Sequence, residues 1–335
     1  MSLPAPSRGW FYSWQVLSFF VFFVVKLVSE KMTTKLLALK IDVDTWRGTR
    51  EGVPRLLEIL KRHQAGATFL FSVGPDHTGR AIKRVFRKGF LQKVSRTSVV
   101  EHYGLRTLLY GTLLPGPDIG RREAALLRQV RDAGFEVGIH CWDHIRWQDH
   151  VAAQSAEWTR REMRLAADRF AEIFGAPART HGAAGWQMNA AAYACERELG
   201  LVYASDGRGS HPFVPVGDDG AVCGVPQLPT TLPTLDELIG IDGWTADNVD
   251  QHLLALTADG SNSQVYTLHA ELEGMRLGDT FERLLAGWRA QGYRLVSCRE
   301  LYDSLDAASL PRHCVSYGEI AGRSGQLALQ GQPAE

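Results

Sequence analysis

Two histidines four positions apart, in His140-Cys141-Trp142-Asp143-His144, carry the first chemical signal in this sequence. They follow the apolar run Phe135–Ile139, which reads as a short buried strand, so both fall where the strand ends and the next turn begins. On a helical turn, residues i and i+4 share a face and the two imidazoles point the same way. Two converging neutral imidazoles form half of a metal site that lacks an anionic third ligand and keeps a position open for water. Carboxylates stand at a comparable place elsewhere. Asp42-Val43-Asp44 closes the apolar run from Leu36 to Val43, Asp206 follows Leu201–Ser205, and His269 closes Val265–Leu268. One early aspartate as ligand with His140 and His144, the other free as a base, His269 as a proton carrier and Asp206 holding its ring in one tautomer would suit hydrolysis of an amide.

Elements able to position these residues can be read along the chain. Strands are expected at Leu36–Val43, Ala67–Val73, Phe135–Ile139, Leu201–Ser205, Gln264–Leu268 and Tyr293–Ser297. Helices are expected from Thr49 to about His63, Arg121 to Ala133, Gln154 to Phe174, Asn189 to Leu199, Ala246 to Leu256 and around Phe281–Gln291. Strands alternating with helices at this spacing indicate an α/β fold with a parallel sheet, doubly wound or closed into a barrel. In a barrel the carboxyl ends of the strands share one rim, which gathers the six polar residues on a single face.

Composition narrows the function classes. Among the 335 residues, Lys+Arg and Asp+Glu both number 37, and no nucleic-acid motif is present, so no nucleic-acid partner is expected. The five cysteines are scattered without a Cys-x-x-Cys pair, which excludes a disulfide framework and a cysteine-rich zinc site and favours a reducing compartment.

Two stretches point to a membrane. Residues 1–31 form an apolar N-terminal extension, either a membrane anchor or a mis-assigned start, since Met32-Thr33-Thr34-Lys35 would open the folded domain equally well. Within the catalytic domain, expected over residues 32–305, an insertion spans residues 78–116. There Ile82, Val85, Phe86, Phe90 and Val94 recur at helical spacing, with Lys83, Arg84, Arg87, Lys88, Lys93 and Arg96 between them. A basic amphipathic helix with aromatic residues on its apolar face is a membrane-surface signature and suits anionic lipids. Residues 306–335, polar and rich in glycine, read as a frayed C-terminal tail.

The chain resembles the polysaccharide deacetylases of the NodB-homology type, through the paired acids, the His-x-x-x-His pair and the later Asp and His. The resemblance implies a distorted parallel β/α barrel with an amphipathic helical insertion. It also implies Asp42 as base, Asp44, His140 and His144 as ligands of a divalent metal ion (zinc, manganese, cobalt or iron), and Asp206 and His269 as the later pair. Here Val43 separates two acids that are usually adjacent. Arg179, in Arg179-Thr180-His181-Gly182, corresponds to the arginine that orientates the base, although the usual proline is missing. Longer strings are similar to one subgroup: Asp42–Pro54, Tyr110-Gly111-Thr112, Arg179–Trp186 and Leu268–Gly274. That subgroup removes formyl from 4-deoxy-4-formamido-L-arabinose-phosphoundecaprenol, giving the aminoarabinose lipid used to modify lipid A and resist polymyxin. The expected partners are therefore the undecaprenyl-phosphate-linked formamido-arabinose and anionic lipids at the cytoplasmic face of the inner membrane. The rivals are an N-acetyl polysaccharide deacetylase and a catalytically silent lipid-binding protein.

Overall fold

All eight residues of Leu36–Val43 are buried, including Lys40 and Asp42, as befits a central parallel strand covered on both faces. The computed structural model describes Met1 and residues 35–81, 106–260, 262–323 and 325–334. Lys35–Glu335 forms one compact unit. The expected N-terminal extension, Met1 aside, and the core of the basic amphipathic stretch, residues 82–105, lie outside the described residues.

The strands are β1 (Leu36–Val43), β2 (Thr68–Ser72), β3 (Glu136–Cys141), β4 (Thr180–His181), β5 (Tyr203–Ala204), β6 (Val214–Val216), β7 (Gln264–His269), β8 (Arg294–Val296), β9 (Arg312–Gly318) and β10 (Leu327–Pro333). A parallel sheet runs β5-β4-β3-β2-β1-β7, and β8 pairs with the first residues of β1. Its two ends are joined by an irregular segment. Pro226 O and Leu228 N bond to Ala204 in β5, while Thr231 N bonds to Val265 O in β7. The result is the distorted barrel expected from the sequence, with one stave replaced by extended chain.

Helices cover the outside. Those of seven residues or more among the described residues are α1 (Val53–Arg62), α2 (Ala124–Asp132), α3 (His144–His150), α4 (Ala156–Phe174), α5 (Ala190–Glu198), α6 (Val249–Thr257) and α7 (Gly278–Ala290). Their starts follow local chemistry: Asp143, Ser155 and Asn189 cap α3, α4 and α5 by accepting backbone N–H bonds. Helix α4 stops at Gly175, whose φ of 70° is the left-handed conformation that glycine adopts without a Cβ penalty. The apolar faces of α1, α2, α4, α6 and α7 pack with β1, β2 and β7 in one core, while α3 and α5 contribute Trp147, Ala192, Tyr193 and Cys195 to a second.

The C-terminal tail is not frayed. Strands β9 and β10 form an antiparallel hairpin, and β9 also pairs in parallel with β6. Leu327 and Ala328 are buried, and Arg208 exchanges backbone hydrogen bonds with Ala328 and Gln330. Polar composition hid this hairpin because only the first two positions of β10 are buried.

Between hairpin and barrel, Glu237 accepts from Arg208 Nη1 (2.5 Å) and Arg323 Nε (2.7 Å). Burial alone would raise the Glu237 pKa, but the Arg323 and Arg208 charges outweigh it and hold the carboxyl below its ordinary 4.5. A lowered folded-state pKa contributes stability in full above the unfolded value, and that contribution is lost as pH falls through the folded value. Arg323→Met is therefore expected to be less stable than the parent near neutral pH, with the gap narrowing below pH about 4.5. Denaturant melts at several pH values check this, and a gap that does not vary with pH would refute it.

Candidate active site

Alternate residues of a strand lie on one face, so Lys40, Asp42 and Asp44 stand in a row at the end of β1. Asp44 lies just past the strand, where Glu271 Oε1 accepts from the backbone N–H of Asp44 (3.2 Å) and of Thr45 (2.8 Å). Its two carboxylate oxygens face two imidazoles, Oδ1 at 3.2 Å from His140 Nε2 and Oδ2 at 3.4 Å from His144 Nε2. His140 is the penultimate residue of β3 and His144 opens α3, and their ring centroids are 5.3 Å apart. His140 Nδ1 lies 2.6 Å from Gly182 O. A carbonyl oxygen only accepts, so Nδ1 carries the hydrogen and Nε2 presents its lone pair toward Asp44.

This trio fits a divalent metal ion. Its ligand atoms lie within 4.8 Å of one another, and Asp44 Oδ1 is buried with no hydrogen-bond partner. Burial alone would raise the Asp44 pKa, but His144, His140 and His269 together push it well below the usual carboxylate range. Burial would likewise lower His140, yet Asp42 and Asp44 raise it. The unmatched attraction on both sides is what a cation between them would use.

Asp42 is buried beside the trio. Lys40 Nζ donates to its Oδ2 at 3.1 Å, and Oδ1, without a hydrogen-bond partner, is 3.8 Å from His140 Nδ1. His269 ends β7 directly opposite Asp42 in the β1–β7 register, and Ala270 N donates to Asp42 O. Its backbone N–H is held by Glu273 Oε2 (2.9 Å), its Nδ1 is buried and unpartnered, and its ring meets the edge of Trp186 at 6.5 Å.

Two sequence-expected roles fall elsewhere. The Arg179 side chain is exposed at the start of β4, and no hydrogen bond or ion pair joins it to Asp42; the cation against Asp42 is Lys40. Asp206 does not hold His269. It lies 2.7 Å from His181 Nδ1 and accepts from Ala183 N at 2.9 Å. Together with Glu196 these residues make a second, wholly buried group of possible ligands. Burial would raise Asp206, but His181 lowers it, whereas burial and then Asp206 raise Glu196 well above 4.5. Asp206 braces, through Ala183 N, the turn whose Gly182 carbonyl sets the His140 tautomer, while His181 Nδ1, Glu196 Oε1 and Asp206 Oδ2 are buried without a hydrogen-bond partner.

Residues absent from the sequence reading complete the site. Lys40 had a signal, since a cation two positions before Asp42 must share its strand face. Glu271 and Glu273 sit inside the string Leu268–Gly274, but only the fold brings Glu271 back to Asp44. Packing here is close. A Cβ at Gly52 would overlap the Ala270 carbonyl, beside His269. Gly52→Ala is accordingly expected to cost about 2 kcal/mol or more of stability and to lower turnover, because backbone rather than a flexible side chain must yield. Thermal melts and steady-state kinetics check it; a melt and turnover matching the parent would refute it.

Comparison with known proteins bears on the family and the fold. A model of the polysaccharide deacetylase family matches residues 29–204. A protein of Shewanella sediminis, named as a probable 4-deoxy-4-formamido-L-arabinose-phosphoundecaprenol deformylase ArnD, is 39% identical over 304 residues, covering 90% of this chain and 97% of that protein. A protein of Wigglesworthia glossinidia brevipalpis with the same name is 32% identical over 286 residues, covering 84% and 98%. A solved structure from Mycobacterium smegmatis, assigned to the polysaccharide deacetylases, superposes with a TM-score of 0.57 at 16% identity, covering 86% of this chain and 96% of that one.

Proposed function

Because the chain belongs to the polysaccharide deacetylase family, we propose that it hydrolyses the formamide of 4-deoxy-4-formamido-L-arabinose-phosphoundecaprenol. The products are formate and the 4-amino sugar on its lipid carrier, the form used to modify lipid A. The single observation that carries the reading is the convergence of Asp44, His140 and His144 beside a buried carboxylate with one oxygen free. The silent lipid-binding protein loses ground to that convergence, and the N-acetyl polysaccharide deacetylase to the relatives' names.

Asp44, His140 and His144 are the residues that would hold a divalent ion, and two imidazoles with one carboxylate accept zinc, manganese, cobalt or iron. Such an ion, when bound, supplies Lewis acidity toward the formyl oxygen and toward water. The chain does the rest. Asp42 Oδ1 takes a proton from the attacking water, since Oδ2 is engaged by Lys40. His269, on the neighbouring strand, gives a proton to the departing amine nitrogen, its backbone fixed by Glu273. Gly182 O keeps His140 in the tautomer with Nε2 free, and Asp206 braces that turn. Purified protein loaded with metal and given the formamido-sugar lipid is expected to release formate, and to stop when a chelator is added. Absence of formate from the metal-loaded protein would remove this reading.

The substrate's undecaprenyl chain places the reaction at a bilayer, which we assign to the cytoplasmic face of the inner membrane with the protein bound peripherally. Among the described residues no helix is long and apolar enough to cross a membrane. Support comes from the basic amphipathic stretch in the sequence and from Leu113 and Leu109, which are exposed at 80% and 37% just after it. Each cation near an anionic surface contributes on the order of 1 kcal/mol. Neutralising Lys83, Arg84, Arg87 and Lys88 together is therefore expected to weaken flotation with anionic liposomes by on the order of 100-fold or more in partition. Unchanged flotation would reject anionic lipid as a partner of this stretch.

A further inference from the structure

We infer that Lys40 is the positioning residue of Asp42, tethering Oδ2 so that Oδ1 is the oxygen that accepts the proton. The inference rests on Asp42 being the base. Lys40 is 0% exposed, and a buried ammonium is costly unless it is paired. Its hydrogen bond goes to Asp42 Oδ2 at 3.1 Å. Three features hold it there. The two-residue strand repeat puts it on the face that carries Asp42 and Asp44. The Trp186 ring lies 5.3 Å from Nζ, within cation–π range. The lysine stem passes Gly182, where a Cβ would come within 2.8 Å of Cε, so glycine leaves the path open.

The consequence is a division of labour within one carboxylate. Oδ2 is occupied, while Oδ1 is buried, unpartnered and 3.8 Å from a His140 nitrogen already committed to Gly182 O. In the hydrolytic step a water O–H bond breaks and its proton goes to Asp42 Oδ1. The electron pair of that bond becomes available to the oxygen forming the new bond to the formyl carbon. Lys40 gains and loses nothing. Its contribution is orientation from the same strand, in place of the expected Arg179, which lies just before β4.

The test is steady-state formate release by the metal-loaded enzyme and its Lys40→Met, Lys40→Arg and Arg179→Ala variants, with metal content measured on each. Lys40→Met is expected to lower kcat by about 100-fold with KM within about threefold and metal retained, the pattern of a lost transition-state arrangement. Lys40→Arg should recover at least about tenfold of that loss, and Arg179→Ala should stay within about threefold of the parent. A kcat for Lys40→Met within threefold of the parent overturns the inference. So does a folded, metal-loaded Lys40→Arg no better than Lys40→Met, or an Arg179→Ala as impaired as Lys40→Met. Should Lys40→Met fail to fold, Lys40→Met/Asp42→Asn leaves no unpaired buried charge. Its kcat should match Asp42→Asn alone, and a further tenfold fall would count against the tether. A parent enzyme that releases no formate instead removes the deformylase reading itself.

Discussion

His140→Ala is expected to lower kcat for formate release by about 1,000-fold or more and to abolish stoichiometric retention of metal. Polarisation by a bound ion is worth several kcal/mol, and each 1.36 kcal/mol is about tenfold in rate. The size follows from how completely this imidazole is committed. Nδ1 is held by Gly182 O at 2.6 Å, and Nε2 faces Asp44 at 3.2 Å, so alanine removes one ligand and leaves its neighbours unsatisfied. His144 alone cannot replace it, because α3 directs that ring to the other oxygen of Asp44. Metal analysis and kinetics on the same preparation, with circular dichroism to show an intact fold, decide the matter. Turnover within tenfold of the parent would remove His140 from the metal centre.

The legible part of this site was the part carried by short-range pattern. His140 and His144 do converge, though not on one helical face as expected, since His140 lies on β3 and His144 opens α3. Asp42, Asp44 and His269 each close a run of buried apolar residues, so their meeting at one rim follows from a parallel barrel. Contacts set by turns and by the closing segment were not legible. Arg179 stands next to the motif it was expected to serve, yet β4 is only two residues long and Arg179, just before it, is exposed. His181, inside the same string, turns inward instead and takes Asp206, which leaves His269 without that partner. The same limit explains the tail. A hairpin whose burial rests on Leu327 and Ala328 and on pairing with β6 has too weak an alternation to read from sequence.

Asp42→Asn and Asp44→Asn should separate the two early aspartates. Asp44 has both oxygens turned to histidine nitrogens, at 3.2 and 3.4 Å, so its amide variant is expected to lose metal and activity together. Asp42 has one oxygen on Lys40 and the other unpartnered, so Asp42→Asn should keep its metal and lose kcat by about 100- to 10,000-fold, the usual weight of a general base. An asparagine at position 42 keeps the shape of the side chain but offers no carboxylate to accept the proton, and KM should move little because binding does not depend on that transfer. The intervening Val43 makes this contrast informative. With one residue between the acids, both lie on the same strand face and either could in principle reach the histidines. Metal loss from Asp42→Asn with retention by Asp44→Asn would exchange the two roles. If both variants held metal and turned over within tenfold of the parent, neither carboxylate would belong to the chemistry.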